Sequence, residues 1–134
     1  INDQAGHEAG DLALRMLAEN LRAELRAVDT AARYGGDEFV IILPQANTEG
    51  AVTVAERLRS RVEQMEVAGF GEVTSSFGIA TFPDHASSRD TLVVAADRAL
   101  YDSKNAGRNR VSIFGSSRVV KELPRDVADT LQRL

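Results

Sequence analysis

Ala31-Ala32-Arg33-Tyr34-Gly35-Gly36-Asp37-Glu38-Phe39-Val40-Ile41-Ile42-Leu43 is the stretch from which the fold of this chain is read. Two glycines separate two apolar-leaning runs, and two carboxylates follow at once. Glycine accepts the positive φ that hairpin turns require, so Gly35-Gly36 predicts a tight turn between antiparallel strands. Phe39 to Leu43 is β-branched and apolar without clean alternation, the pattern of a buried strand. Adjacent strand residues point to opposite faces, so Asp37 and Glu38 are expected to do different jobs. Hairpin turns are commonly rich in Gly and Asp, so local geometry leaves a solvated turn and a metal or catalytic corner about equally open.

Outward from the hairpin, the chain falls into periodic segments. Upstream, Leu14, Leu17, Leu21, Leu25 and Val28 recur at three- and four-residue steps and predict a helix from about Asp11 to Val28. Asp11 is placed to cap or charge its start. Downstream, Pro44 ends the hairpin and Thr48 is the expected N-cap of a second helix, with Glu49 in its first turn. Ala51, Val52, Ala55, Leu58, Val62 and Met65 form its apolar stripe. Gly69 and Gly71 break the chain, and Val73 to Phe82 reads as a strand in which Gly78 marks a bulge or a close backbone approach. Ser87 with Asp90 resembles a capping box. It opens a third helix through Leu92, Val93, Ala96, Ala99 and Leu100 to Asn105, with Gly107 as its C-terminal cap. Arg110 to Phe114 is a short strand, 115–123 a linker, and Pro124 to Leu134 a short amphipathic helix. The order helix–strand–strand–helix–strand–helix–strand describes an α/β sandwich with an antiparallel hairpin at its heart.

Bulk properties narrow the function. At 134 residues the chain suits one domain with a real core. A net charge of −4 argues against non-specific nucleic-acid binding, which needs a basic surplus. A polyanionic ligand would have to be held by a few placed cations or a metal. The absence of cysteine excludes disulfides, thiolate metal sites and cysteine nucleophiles. No apolar run approaches the ~20 residues that cross a bilayer, so this segment is expected to make no direct membrane contact and to be cytoplasmic. No P-loop pattern and no zinc spacing occurs.

Five motifs then appear in order. Asn2-Asp3, Gly6-His7 and Gly10-Asp11 follow an N-D-x-x-G-H-x-x-G-D pattern; Arg26-Ala27-Val28-Asp29 is R-x-x-D; Arg33-Tyr34 leads into Gly35-Gly36-Asp37-Glu38-Phe39. Val73 to Ala80 follows, and then Ala96-Asp97-Arg98-Ala99-Leu100-Tyr101-Asp102-Ser103-Lys104-Asn105-Ala106-Gly107-Arg108-Asn109. Together they resemble the GGDEF domain family, the diguanylate cyclases, over roughly residues 1–114, with 115–134 left as linker and short helix. Ser103 stands where alanine is usual, a small-for-small change.

The resemblance implies a fold and a chemistry. The fold is a central, mostly antiparallel sheet with flanking helices, in the ferredoxin-like palm topology of nucleotide cyclases. The reaction condenses two GTP molecules into cyclic di-GMP and two pyrophosphates in a face-to-face homodimer, using Mg²⁺ or Mn²⁺. Asp37 is implied as metal ligand and general base, and Glu38 as a second metal or charge-stabilising group. Asn2 and Asp11 would read guanine. Lys104 and Arg108 would hold phosphates; read as helical neighbours four residues apart, both reach one anion. Gly35 and Gly36 would let the backbone approach the triphosphate. Arg26 and Asp29, supported by Arg57, correspond to an inhibitory site for cyclic di-GMP. In the family a further metal ligand lies on a strand just upstream of the position of Ile1, so the chain reads as part of a longer protein, such as the cytoplasmic part of a sensor. Without turnover, the same domain would serve as a receptor for GTP or cyclic di-GMP. For isolated residues the bland readings are stronger: Asn2 and Asp11 as helix caps, Lys104 and Arg108 as solvated cations, R-x-x-D as a surface pair.

Overall fold

The structure is a computed structural model that describes residues 3–35, 38–66, 72–115 and 119–120. Its order is α1 (Asp3–Glu24), β1 (Thr30–Gly35), β2 (Glu38–Ile42), α2 (Thr48–Glu63), β3 (Phe77–Ile79), α3 (Arg89–Asn105), β4 (Val111–Ile113) and β5 (Val119–Val120). The α+β class expected from the sequence is present. Among the described residues the strands form two small sheets: the β1–β2 hairpin, and a β3-β4-β5 sheet in which β3 and β4 run parallel.

Helix α2 organises the core because its whole apolar stripe is buried. Ala51, Val52 and Ala55 pack with Ile79 and Val111 of the second sheet. One turn on, Val54 and Leu58 join Leu21 of α1, with Phe39, Ile41 and Leu43 of the hairpin side closing over them. Val62 and Met65 cluster with Ala13. Full burial of a leucine such as Leu58 contributes about 1.5–3 kcal/mol, so this helix acts as the keystone between α1 and both sheets. Strand period explains the hairpin's two sides. Phe39, Ile41 and Leu43 turn to the helices, whereas Ile42 is 57% exposed, so this strand is covered on one face and is not the fully buried strand expected.

Several boundaries differ from the sequence reading. Helix α1 begins at Asp3, which puts Asp11 on its exposed flank and not at its start. It ends at Glu24, so Val28 lies in the following turn, 63% exposed. The N-cap of α2 is Asn47, whose side chain accepts from the Gly50 amide at 2.7 Å. Thr48 instead spends its hydroxyl on Thr81, Oγ1 to Oγ1 at 2.7 Å. Ser88, not Ser87, caps α3, in a reciprocal capping box with Thr91. Of the stripe expected on α3, Val93 is 43% exposed, while Ala95 and Ser103 are buried in its place. Within Val73 to Phe82 only Phe77–Ile79 forms a ladder, because β4 offers three partners. Val119–Val120, expected as linker, pairs antiparallel with β4. The helix expected over Pro124 to Leu134 lies outside the described residues.

Two contacts seat α3 on the sheet. A Cβ at Gly78 would stand 2.2 Å from the Leu100 amide nitrogen and 2.3 Å from the Ala96 carbonyl oxygen, so β3 and α3 touch backbone to backbone. Ser103 Oγ donates to the Phe77 carbonyl at 2.7 Å and lies 2.6 Å from Ser112 Oγ. The residue read as a small-for-small change is a buried polar bridge between α3, β3 and β4.

Candidate nucleotide site

The site is assembled where the hairpin turn meets the end of α3. In β1–β2 the register runs Arg33 opposite Phe39 and then Gly35 opposite Glu38, so Tyr34 is one residue in excess. A bulge of this kind bends the strand and strengthens its twist. The strands stop at Gly35 and resume at Glu38, so the connection consists of Gly36 and Asp37, which lie outside the described residues together with Asn2. Period 2 places Glu38 on the sheet face opposite Phe39 and thus away from the α1–α2 core.

On that face Glu38 Oε1 is 3.5 Å from Lys104 Nζ, the side chains being 40% and 35% exposed. Lys104 sits in the last turn of α3, where a cation also complements the helix dipole. The chain leaves the helix through a Schellman arrangement. The Gly107 amide donates to the Lys104 carbonyl at 3.4 Å and the Arg108 amide to the Ser103 carbonyl at 2.9 Å. Gly107 has φ +122, a conformation that needs glycine, and the expected cap is borne out. Arg108 follows at φ +63 and is exposed. Lys104 and Arg108 are therefore not helical neighbours; the second cation is carried by the reversing turn beyond the helix.

The arrangement brings together Gly35, Glu38 and Lys104, with Arg108 four residues further along the same helix end. Among the described residues no three acidic or histidine side chains gather into a metal cluster. Glu38 is nonetheless a suitable donor for a hard divalent cation: a half-exposed carboxylate with oxygen ligands, already turned toward positive charge.

Arg26 and Asp29 are a second constellation, in the turn between α1 and β1. The Arg26 guanidinium reaches Asp29 Oδ1 through Nη2 at 2.8 Å and through Nε at 3.1 Å, and the Arg26 amide donates to Asp29 Oδ2 at 2.7 Å. Nη2 also donates to the Pro44 carbonyl at 2.8 Å, tying this turn to the end of the hairpin. The Asp29 side chain is only 2% exposed. Burial works to raise its carboxyl, but hydrogen bonds and charge from Arg26 more than offset this and hold it below the usual carboxylate range. Arg57 is exposed on α2. Asp11 is exposed on α1.

Sequence reasoning passed over Asn109 and Arg59. Asn109 enters the sequence reading only as the last residue of a motif, and Arg59 does not enter it at all. Their one visible signal is an asparagine just past a glycine cap, a residue type that tolerates the left-handed region; Asn109 has φ +49.

Comparison with known proteins supplies the family. The family model described as "Diguanylate cyclase, GGDEF domain" matches residues 1–110. Diguanylate cyclase A of Treponema denticola is 42% identical over 116 residues, covering 84% of this chain and 31% of that protein. The bifunctional diguanylate cyclase/cyclic di-GMP phosphodiesterase MucR of Pseudomonas aeruginosa is 43% identical over 119 residues, covering 87% of this chain and 17% of that protein. The chain thus spans less than a third of either relative. Among solved structures, the GGDEF domain of DgcB from Caulobacter crescentus, in complex with c-di-GMP, superposes with a TM-score of 0.75 at 34% identity, covering 86% of this chain and 70% of that one. Taken with the signature turn and the helix end that meets it, these matches make the chain a member of the GGDEF, or diguanylate cyclase, domain family.

Proposed function

We propose that this domain is a diguanylate cyclase half-site, binding one GTP and joining it to a second GTP held by another copy, with cyclic di-GMP and two pyrophosphates as products. The observation that carries the reading is the approach of Glu38, at the signature turn, to Lys104 at the end of α3. Glu38 and Lys104, 66 residues apart in sequence, converge on one patch, with a carboxylate for a metal and a cation for phosphate. When bound, Mg²⁺ or Mn²⁺ spreads the charge of the reacting phosphoryl group and lowers the pKa of the attacking 3′-hydroxyl.

The chain's own residues do the rest. Asp37 and Glu38 offer oxygen ligands, and Asp37 takes the proton of the 3′-hydroxyl as it attacks the α-phosphate of the opposed GTP. Lys104 acts as a point charge, and Arg108 as a fork, on the phosphate oxygens. Asn2 and Asp11 read the guanine edge. Gly35 and Gly36 leave room for the triphosphate beside the backbone. The protein holding this domain, incubated with GTP and Mg²⁺, is expected to form cyclic di-GMP, and Asp37→Ala to form none while unfolding at the same denaturant concentration. A folded, dimeric sample that makes no product overturns the cyclase reading and leaves the receptor reading in its place.

Arg26, Asp29 and Arg57 form the proposed product site. The paired Arg26–Asp29 turn and the cyclic di-GMP bound in the DgcB GGDEF domain support this reading. Arg26→Ala is expected to keep making cyclic di-GMP while losing inhibition by it. Equal inhibition of both proteins in a product-titration assay would reduce Arg26 to a structural residue.

A further inference from the structure

We propose that Asn109, Arg59 and Glu63 form a bracket that positions Arg108, so that three residues with no contact to nucleotide set how well the site grips phosphate. The inference rests on the reading of Arg108 as a phosphate ligand and adds what holds it in place.

Arg108 and Asn109 are consecutive non-glycine residues in the left-handed region, at φ +63 and φ +49. L-residues enter that region at a steric cost, and a single Asn does so far more readily than an Arg. A turn of this shape persists only where its surroundings over-determine it. Here they do, through Asn109. Its amide donates to Ser76 Oγ at 3.1 Å, on the strand side. Its side-chain Nδ2 donates to Glu63 Oε2 at 2.6 Å, and its Oδ1 accepts from Arg59 Nη1 at 3.0 Å. An amide that gives and receives at once has a fixed orientation, and both partners belong to α2, whose apolar stripe is buried in the core.

Arg59 is itself held. Its guanidinium hydrogen-bonds Glu56 one turn back and lies 3.6 Å from Glu63, and its side chain is 13% exposed. Hydrogen bonding to Glu56 raises its affinity for its proton, so it is a permanent cation. From the other side, Arg110 Nε donates to the Arg108 carbonyl at 2.9 Å. The Arg108 backbone is thus clamped at its amide by the end of α3, at its carbonyl by Arg110, and at the next residue by α2. Only the Arg108 side chain is left exposed. This is the arrangement expected of an anion ligand whose backbone is preorganised, so that only side-chain rotamers remain to be ordered when the anion arrives.

The test is a binding cycle on the full protein, using α,β-methylene GTP with Mg²⁺ and calorimetry. Arg108→Ala should weaken binding about tenfold, the worth of one charge-assisted hydrogen bond. Asn109→Ala should approach that loss, while Arg108→Ala/Asn109→Ala should bind no more weakly than Arg108→Ala alone, because a positioning residue has nothing left to position. Losses that multiply, or native affinity in Asn109→Ala, overturn the proposal. Glu63→Ala guards against misfolding, since Glu63 is a half-exposed end of the bracket: it should weaken binding about threefold, whereas Glu63→Gln, still an acceptor for Asn109, should restore it. Native affinity in Glu63→Ala counts against the bracket. Unchanged binding by Arg108→Ala overturns both the phosphate role and the bracket, while production of cyclic di-GMP by the unaltered protein tests the cyclase reading separately.

Discussion

At Asp29 two opposed effects meet. Loss of water raises a carboxyl's pKa, and the Arg26 guanidinium and amide lower it by a larger combined amount. An aspartate in an unfolded chain titrates near about 3.9, and the folded one lies lower. As pH falls, the unfolded chain therefore takes up this proton first. The stability linked to Asp29 is complete above about pH 4 and declines as acid is added through the window below it. Urea midpoints followed downward from about pH 5 should fall more steeply for the native protein than for Asp29→Asn; parallel curves would deny the pair this role. Arg26-x-x-Asp29 was legible as a motif and, read as isolated residues, as a surface pair; the bond from Arg26 to the Pro44 carbonyl and the burial of the Asp29 side chain were not, because both depend on contacts distant in sequence. Ser103 shows the same limit more sharply. Judged by volume it is a near-alanine, and only the position of the Phe77 carbonyl and Ser112 reveals a hydroxyl tied into a buried bridge.

Among the elements, most of the stripe of α2 was readable from 3.6-residue periodicity, but Thr53 and Val54, buried beside it, were not part of that reading. The N-caps of α2 and α3 were each displaced by one position. Asn47 and Thr48 are both competent N-caps, and Thr81, distant in sequence, engages Thr48 and leaves the cap to Asn47. The choice between a bulge and a close approach at Gly78 was left open by sequence, since both use a glycine. The structure resolves it as close approach, with the peptide units of Ala96 and Leu100 against the Cα. A methyl group there meets backbone, which cannot swing aside. Gly78→Ala is expected to cost about 3 kcal/mol in denaturant unfolding, the upper end of ordinary overpacking. A loss below about 1 kcal/mol would mean that α3 can lift from β3 without penalty.

At the scale of the whole molecule, the α+β class followed from element order, whereas the division of the strands into two sheets among the described residues did not, because pairing partners are a property of tertiary contacts. The letters, through the resemblance they carry, named Glu38 and Lys104 for one nucleotide, whereas the direct approach of the two side chains to 3.5 Å was not legible. If that convergence is a metal-and-phosphate site, GTP with Mg²⁺ should stabilise the fold by linkage, about 2.7 kcal/mol at a hundred times the dissociation constant. Thermal unfolding should then show a larger upward shift with Mg²⁺ and GTP together than with GTP alone. Glu38→Gln should shrink the difference, and an undiminished shift would remove Glu38 from the metal set. The seat of Gly78 bears on how such a site can be regulated. With two peptide groups of α3 straddling one Cα of β3, the helix has no smooth track along which to creep, and a one-turn jump would have to lift it clear of the sheet. A signal arriving from elsewhere in the protein can swing α3 and β3 as one lever, but it cannot tune the reach of Lys104 by sliding the helix that carries it.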